Sequence, residues 1–202
     1  MGTITNDSNY LFHLFMIKEV AFYSDQLRKG KVILYPTDTI WGIGCDATNL
    51  SAVDYVYKIK KRDRKKPCIL LVESIDHLKK YVKDLHPRIE NLLLYHNKPT
   101  TIIYKANQML HPAVLNDDGT VAIRLIKQEF CSQLIAKLGR PLISTSANIQ
   151  GEPFPQTFEE ISDEIIDNVD IVVERHYESE TNTEPSIMLS FNDSGDLKFI
   201  RS

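Results

Sequence analysis

The sequence predicts an α/β protein of mixed type, a single domain in which a twisted, open, mixed β-sheet carries helices. Apolar runs and segments of helical periodicity alternate through most of the chain, and two hairpin-like runs close it. One run, CILLV at 68–72, contains no polar side chain, which is typical of a strand covered on both faces. With 202 residues and 43% hydrophobic content, the chain can bury a full core without metals or disulfides.

The predicted elements follow the chain in order. Residues 1–10 are predicted to be a flexible tail, and residues 11–202 form the domain. Helical spacing covers 11–28, a strand covers 31–35, and Ser51-x-x-Asp54 is predicted to cap a helix that ends before Pro67. Further strands are predicted at 68–72, 100–104, 121–125, 142–144, 171–173, 186–191 and 197–201, and further helices at 74–82, 87–95, 128–138 and after Thr157.

Cysteine usage and the termini favour a cytoplasmic protein. The three cysteines, Cys45, Cys68 and Cys131, are odd in number and widely spaced, which indicates reduced thiols rather than disulfides or a zinc site. No apolar run approaches the roughly 20 residues of a membrane span. The first ten residues lack the basic start and apolar middle of a secretion signal.

Positive charge is concentrated in KIKKRDRKK at 58–66. This stretch holds seven of the 24 cationic residues, and without it the chain has 17 cations against 26 acids. Local charge of this kind favours a phosphate-bearing small ligand or an RNA contact on one face. A solvated helix end is the structural alternative, since cations suit the carboxyl terminus of a helix.

Three polar groups follow apolar elements and are candidates for a binding site. The first lies in YPTDTIWGIGCDA at 35–47, whose proline and two glycines are expected to set unusual backbone angles. The second is Lys60-x-Arg62 with Lys66-Pro67, and the third is Ser144, Ser146 and Asn148. Hydroxyls and an amide can orient a polar substrate, while lysine and arginine can hold phosphate.

Several catalytic classes are disfavoured by what these groups lack. None contains a histidine, and GxSxG, HExxH and P-loop motifs are absent from the sequence. Cys45 lies close to the first group but is interpreted as a buried, inert thiol. Arg124 interrupts the apolar strand VAIRL, and a charge in such a place usually has a partner or a ligand.

Together, YPTDTIWGIGCDA, Lys60-x-Arg62 and STSANIQGEP at 144–153 resemble the signature segments of the YrdC-like family of threonylcarbamoyl-AMP synthases. The resemblance runs from about Ile17 to Arg201 and implies a YrdC/RibB-like fold in its short form. It implies a nucleotidyltransferase that makes threonylcarbamoyl-AMP and pyrophosphate from L-threonine, bicarbonate and ATP. The product serves the t6A modification of tRNA, so downstream t6A transfer proteins are implied partners.

The resemblance also assigns site residues by matching position. Thr39, Ser144 and Ser186 are expected to contact threonine, with Arg124 suited to its carboxylate. Contacts to ATP or the carbamoyl intermediate are expected from Lys60, Arg62, Lys66, Thr120, Ser146, Asn148 and Arg201, of which Lys60, Arg62, Ser146 and Asn148 are the catalytic candidates. No metal ligand is predicted in the protein, and Mg²⁺ is expected to bind through the phosphates.

The chain also departs from the family pattern. Trp41 stands where the family usually has tyrosine, Ile126 where it has proline, and Gln150 and Phe154 where it has serines. Asn97-Lys98-Pro99 stands where the family often has Pro-Gly-Pro. Ile187 follows Ser186 in place of the usual threonine, and no Pro-Gly follows Arg201. These departures leave open a divergent paralogue without the activity as an alternative function. The other alternative is a double-stranded RNA-binding module that uses the basic stretch without catalysis. The polar segment 177–184 is predicted to be a mobile lid over bound nucleotide.

Overall fold

Alternating helices and strands make up most of the computed structural model, which describes residues 4–178 and 184–201. The helices in these ranges are α1 (Ile4–Arg28), α2 (Leu50–Ile59), α3 (Ile75–Lys79), α4 (Pro87–Tyr95), α5 (Glu129–Leu138) and α6 (Asp163–Asn168). The strands are β1 (Ile33–Tyr35), β2 (Gly42–Gly44), β3 (Ile69–Val72), β4 (Thr100–Lys105), β5 (Thr120–Leu125), β6 (Leu142–Ser146), β7 (Ile171–Val172), β8 (Ile187–Phe191) and β9 (Leu197–Arg201).

These strands form one open, mixed sheet in the order β7-β1-β2-β6-β3-β5-β4-β8-β9. The pairs β1–β7, β3–β5 and β4–β8 are parallel, and the remaining neighbours are antiparallel. The last two strands form the predicted antiparallel hairpin. The predicted fold class, a mixed sheet in one domain, is therefore confirmed.

The two faces of the sheet are covered differently. Apolar side chains of α2, α3 and α4 pack with alternate residues of β3, β4 and β5 in the larger core cluster. On the opposite face, α1 and α5 cover one end, around Leu71 and Leu142. Arg124 lies opposite Leu71 and opposite Thr101 in the strand registers, so these side chains belong to this second face. Polar residues thus lie where the second face lacks a helix.

Strand β2 was predicted as part of a loop, and its glycines have a different role from the one expected. Neither Gly42 nor Gly44 has a positive φ, so they do not supply a special backbone angle. A Cβ atom on Gly44 would lie 2.3 Å from the Ile143 carbonyl oxygen, and one on Gly42 would lie 3.3 Å from Ser144 Oγ. The glycines allow β2 to lie close to the neighbouring strand β6.

Two predicted helix starts are corrected. Helix α1 begins at Ile4, so residues from Ile4 to Tyr10 are helical rather than a tail; no proline or glycine interrupts the helix before Gly30. Helix α2 is capped by Asn49, whose side chain accepts a hydrogen bond from the Ala52 amide, two residues before the predicted Ser51 cap.

Smaller differences occur at other ends. Ser74 caps α3 as predicted, but this helix ends at Lys79. Thr157 precedes a short 3₁₀ turn at 158–160 and makes no side-chain cap bond. Across 4–178 and 184–201, no helix is both long and apolar enough to cross a membrane.

Candidate active site

A cleft of about 250 Å³ lies on the second face of the sheet, beyond the end covered by α1 and α5. Six of the predicted site residues line it: Thr39, Arg62, Arg124, Ser144, Ser146 and Ser186. They come from segments far apart in the sequence. Strands β2, β6, β5 and β8 carry or adjoin these segments in one sheet, with β3 between β6 and β5 and β4 between β5 and β8. The threonine-side and phosphate-side predictions therefore converge on one cleft.

Arg124 is the buried charge at the floor of this cleft, with 4% of its surface exposed. Its Nη1 donates to Thr39 Oγ1 at 3.0 Å, and its Nη2 lies 3.2 Å from Asp38 Oδ1. Its Nε is buried and has no hydrogen-bond partner among the residues that the structure describes. A buried donor of this kind is costly unless a ligand satisfies it, so the guanidinium is suited to an anionic ligand.

The Thr37–Thr39 turn orients the hydroxyl that Arg124 contacts. Thr37 Oγ1 donates to the Ile40 carbonyl at 2.8 Å and lies 2.9 Å from Thr39 Oγ1. Since Thr37 has used its proton, the Thr39 hydroxyl donates to Thr37 and accepts from Arg124. One lone pair on Thr39 is then left for a donor in the cleft. Thr37 was noted with its neighbours in the sequence but was not predicted as a site residue.

Ser186 is held by a residue that sequence reasoning missed. Thr101, fully buried in β4, shares a hydrogen bond of 2.7 Å with Ser186 Oγ. Thr101 also lies opposite Arg124 in β5 and opposite Met188 in β8. The signal available was the two-residue strand period, which puts Thr101 and Ile103 on one face of TTIIY.

Lys60 lies beneath the cleft wall rather than at its surface. It is 1% exposed, and its ammonium donates to the carbonyls of Ser146 and Asn148, the latter at 2.6 Å, and to Asn148 Oδ1 at 3.2 Å. Burial, together with the nearby charge of Arg62, lowers the pKa of Lys60 to about 8. Lys60 is not a cleft-lining cation; it fixes the loop that follows β6.

Some of the residues around Lys60 line the cleft, and others hold the residues that line it. Arg62 lines the cleft, and its guanidinium donates to the carbonyls of Lys66 and Pro67 at 2.7 and 3.1 Å. The Lys66 side chain does not line the cleft, although its carbonyl anchors Arg62. Asn148 likewise does not line the cleft; its Oδ1 accepts from Ser146 Oγ at 2.5 Å. Of these four predicted residues, Arg62 and Ser146 line the cleft.

A second, larger cleft of about 1050 Å³ adjoins the first and shares Ile103 and Asn116 with it. Thr120 lines this second cleft, away from the other predicted contacts. Asp118 Oδ1 accepts a hydrogen bond from the Thr120 hydroxyl at 2.6 Å. The side chain of Arg201 lies outside the described residues; its backbone in β9 pairs with Met188, which lines the first cleft.

The basic stretch 58–66 is largely engaged within the chain. Besides Lys60 and Arg62, Lys61 forms an ion pair with Glu164 at 2.7 Å. Arg64 forms an ion pair with Asp54, and its guanidinium lies 4.2 Å from the centre of the Tyr57 ring. Four of the seven cations therefore have partners in the protein, and the stretch is not one open basic face.

Trp41 contacts the beginning of the segment predicted to form the lid. The buried Trp41 indole Nε1 donates to Glu178 Oε1 at 2.6 Å, and its ring packs on Phe158. Residues 179–183 lie outside the described part of the chain, so the lid over 177–184 stays a prediction. Pro185 and Ser186, which follow this segment, line the first cleft.

The cysteines are structural. Cys45, Cys68 and Cys131 are buried free thiols. Burial raises the pKa of Cys45 and of Cys131 well above the ordinary value, which keeps both protonated and unreactive. Cys45 thus lies in the core, as predicted.

Comparison with known proteins places the chain in a family. The family model described as telomere recombination, which covers Sua5, YciO and YrdC proteins, matches residues 25–202. The threonylcarbamoyl-AMP synthase of Vibrio cholerae is 34% identical over 173 residues, which are 82% of this chain and 92% of that protein.

Solved structures agree with this match at the level of the fold. Sua5 of P. abyssi, crystallised with L-threonine, is similar with a TM-score of 0.81 and 23% identity, over 90% of this chain and 53% of Sua5. E. coli YciO is similar with a TM-score of 0.78 and 22% identity, over 91% of this chain and 88% of YciO. The extent of the family match and the identity to the synthase lead to one conclusion: the chain belongs to the Sua5/YciO/YrdC family.

Proposed function

We propose that the protein is a threonylcarbamoyl-AMP synthase, a nucleotidyltransferase that uses L-threonine, bicarbonate and ATP and supplies its product to tRNA t6A modification. The observation that carries the proposal is the buried Arg124 guanidinium, whose Nε has no partner in the described chain and which lies in a cleft lined by hydroxyls. Membership of the family and the identity to a named synthase support the same assignment.

The hydrogen-bond donors and acceptors in the smaller cleft indicate how L-threonine would bind there. The threonine carboxylate accepts from Arg124, which is the buried cation at the cleft floor. The free lone pair of Thr39 accepts from the substrate's hydroxyl or amine. Ser144 and Ser186 line the same cleft and complete its polar surface.

ATP extends across both clefts in this proposal. A volume of about 250 Å³ suits an amino acid with a phosphate group, whereas ligand pockets for whole drug-sized molecules reach roughly 300–1,000 Å³. Arg62 and Ser146 receive the phosphates in the first cleft, and the nucleoside reaches toward Thr120 in the adjoining one. The shared residues Ile103 and Asn116 form the passage between them.

The reaction requires positioning more than covalent help from the protein. The threonine amine forms a bond to the carbon of bicarbonate, and water leaves to give a carbamate. A carbamate oxygen then forms a bond to the α-phosphorus of ATP, the bond to the β-phosphate oxygen breaks, and pyrophosphate leaves. Arg62 and Arg124 neutralise charge at the two ends, and the hydroxyls hold the reactants in line.

In this proposal Mg²⁺ binds mainly through the phosphate oxygens of ATP. In 4–178 and 184–201 there is no cluster of three metal-ligating side chains, and Asp38, beside the cleft, is already paired with Arg124. Mg²⁺ commonly keeps several waters and takes phosphate oxygens as ligands, which neutralises charge on ATP.

Lys60 supports the phosphate end through the loop after β6. Three hydrogen bonds from its ammonium hold Ser146 and Asn148, and Asn148 in turn accepts from the Ser146 hydroxyl. Lys60 and Asn148 therefore act as positioning residues for Ser146. Direct RNA binding by the basic stretch is less well supported, since four of its cations are engaged within the chain.

The experiment that tests the proposal follows labelled carbon from bicarbonate into nucleotide. The protein is incubated with ATP, Mg²⁺, isotopically labelled bicarbonate and L-threonine. The products are then separated, and their masses are measured by mass spectrometry. A labelled threonine–carbamoyl adenylate that requires all three substrates is the expected result. Release of AMP or pyrophosphate without label in the adenylate would contradict the proposed reaction, and salt-sensitive RNA binding alone would favour the binding module.

A further inference from the structure

Helix α1 is apolar on two opposite faces, although the protein covers one of them. Met16, Val20, Tyr23 and Leu27 recur at helical spacing and are buried against the domain. The outer face carries six large apolar side chains that are 38% to 64% exposed: Tyr10, Leu11, Leu14, Phe15, Ile17 and Phe22. A helix that is apolar all round is normally buried all round.

We propose that this outer face of α1 is the contact surface of a homodimer, in which the α1 helices of two copies pack against each other. The face lies before residue 25, where the family match begins, and none of its six residues lines either cleft. The proposal is therefore independent of the proposed enzymatic activity.

The area of the face suits a second copy. Aromatic side chains bury about 150–250 Å² each, and at about 220 Å² for each of the six residues their exposed fractions amount to at most about 700 Å² per copy. Complete burial of the face in two copies would cover at most roughly 1,400 Å², which reaches the range of standard stable interfaces. A patch of this size is also larger than a typical monomer exposes.

The charges on the helix favour a protein partner over a membrane surface. Lys18 and Asp25 are exposed seven residues apart on the outer face, and Asp25 is paired with Lys29, one turn further on, at 2.6 Å. Helices that lie on membranes usually carry a polar face rich in lysine and arginine, and α1 does not. A largely apolar face can pack against the same face of a second copy across a two-fold axis.

Sedimentation velocity of the full chain over a wide range of protein concentration tests the proposal. The wild-type protein is expected to dimerise, and Phe15→Asp combined with Phe22→Asp is expected to weaken the dimer by at least about tenfold. Tyr95→Asp is the matched control: Tyr95 is 80% exposed on α4, so this change should leave the dimer intact. Circular dichroism and thermal unfolding check that each variant folds.

Several outcomes would overturn the proposal. One is a wild-type chain that stays monomeric at every concentration, whether or not it binds phosphatidylcholine vesicles. Another is a dimer that the double variant retains, or that Tyr95→Asp disrupts equally. Product formation by the monomeric double variant would leave the proposed function standing, so the two proposals can fail separately.

Discussion

Arg124 is the residue on which the site depends most. It is a buried cation in the middle of a sheet, and the structure gives it one hydroxyl and one carboxylate while leaving Nε for a ligand. The same pairing explains why a charge is tolerated in the otherwise apolar strand β5.

Arg124→Lys tests this role. Lysine keeps the charge but loses the planar set of donors, so we expect threonine-dependent pyrophosphate release to fall by at least about tenfold, or about 1.4 kcal/mol in the barrier. The KM for threonine should rise more than the KM for ATP. Arg88→Gln, which removes an exposed arginine on α4, is the control and should behave as wild type. Equal effects on both substrates would argue against a carboxylate contact.

The lowered pKa of Lys60 predicts that the stability of the protein changes with pH. Its pKa is lowered from 10.5 to about 8 in the folded protein, so the unfolded chain holds this proton more tightly. Below about pH 8 both states are charged, and the cost of burying the charge is fully present. As pH rises from about 8 to 10.5, the folded state loses its proton first, and the contribution of Lys60 to stability increases.

Urea unfolding of the wild type and Lys60→Met at pH 7 and at a pH near 9.5 measures this linkage. At pH 7 the variant should lose about 1–3 kcal/mol, because the carbonyls of Ser146 and Asn148 lose their donor. Relative to the variant, the wild type should gain stability at the higher pH. A difference that does not change with pH would show that Lys60 is not titrating in this window.

At the scale of secondary-structure elements, β2 shows how little room the sheet leaves beside the site. Gly44→Ala would place Cβ against the backbone carbonyl of Ile143, which cannot move without separating β2 from β6. Gly42→Ala meets the Ser144 side chain at a longer distance, so it is the milder matched variant. We expect Gly44→Ala to cost about 1–3 kcal/mol of unfolding free energy, and more than Gly42→Ala, in urea unfolding. If the two variants were equally stable, close strand packing would not explain the glycine pair.

The sequence predicted the elements that have strong local signals. Apolar runs marked β3, β4 and β5, and caps or prolines marked α3 and α4. It did not predict β2, because two glycines in a three-residue strand are typical of a loop, and only the approach of Ile143 shows why they are there. The helical start of α1 was missed for the opposite reason: polar residues after Ile4 suggested a tail, but nothing in them ends a helix.

The candidate site was predicted in its composition more than in its geometry. Motif resemblance supplied six residues that line the cleft, since their spacing in the sequence is distinctive. It could not distinguish Lys60, which lies beneath the wall, from Arg62, which faces the cleft, because the direction of each side chain depends on the tertiary fold. Thr101 was missed since a threonine in a β-branched strand carries no functional signal by itself.

At the scale of the whole molecule, the sheet brings together two adjoining clefts whose lining residues are far apart in the sequence. Helices α1 and α5 cover one end of the second face, and the uncovered remainder holds a small cleft that opens into a larger one. This arrangement suits a small amino acid beside a nucleotide. The central claim is therefore that the small cleft selects its amino acid by hydrogen bonds to a hydroxyl.

Pyrophosphate release with threonine, serine and valine, at fixed ATP and bicarbonate, tests this claim most directly. A site that hydrogen-bonds a hydroxyl can reject an analogue without it by roughly 10⁴-fold, whereas a missing methyl group is worth far less. We expect threonine to be used best, serine measurably, and valine hardly at all, although valine has the shape of threonine. Pyrophosphate release that is as fast with valine as with threonine, or that needs no added amino acid, would contradict the account.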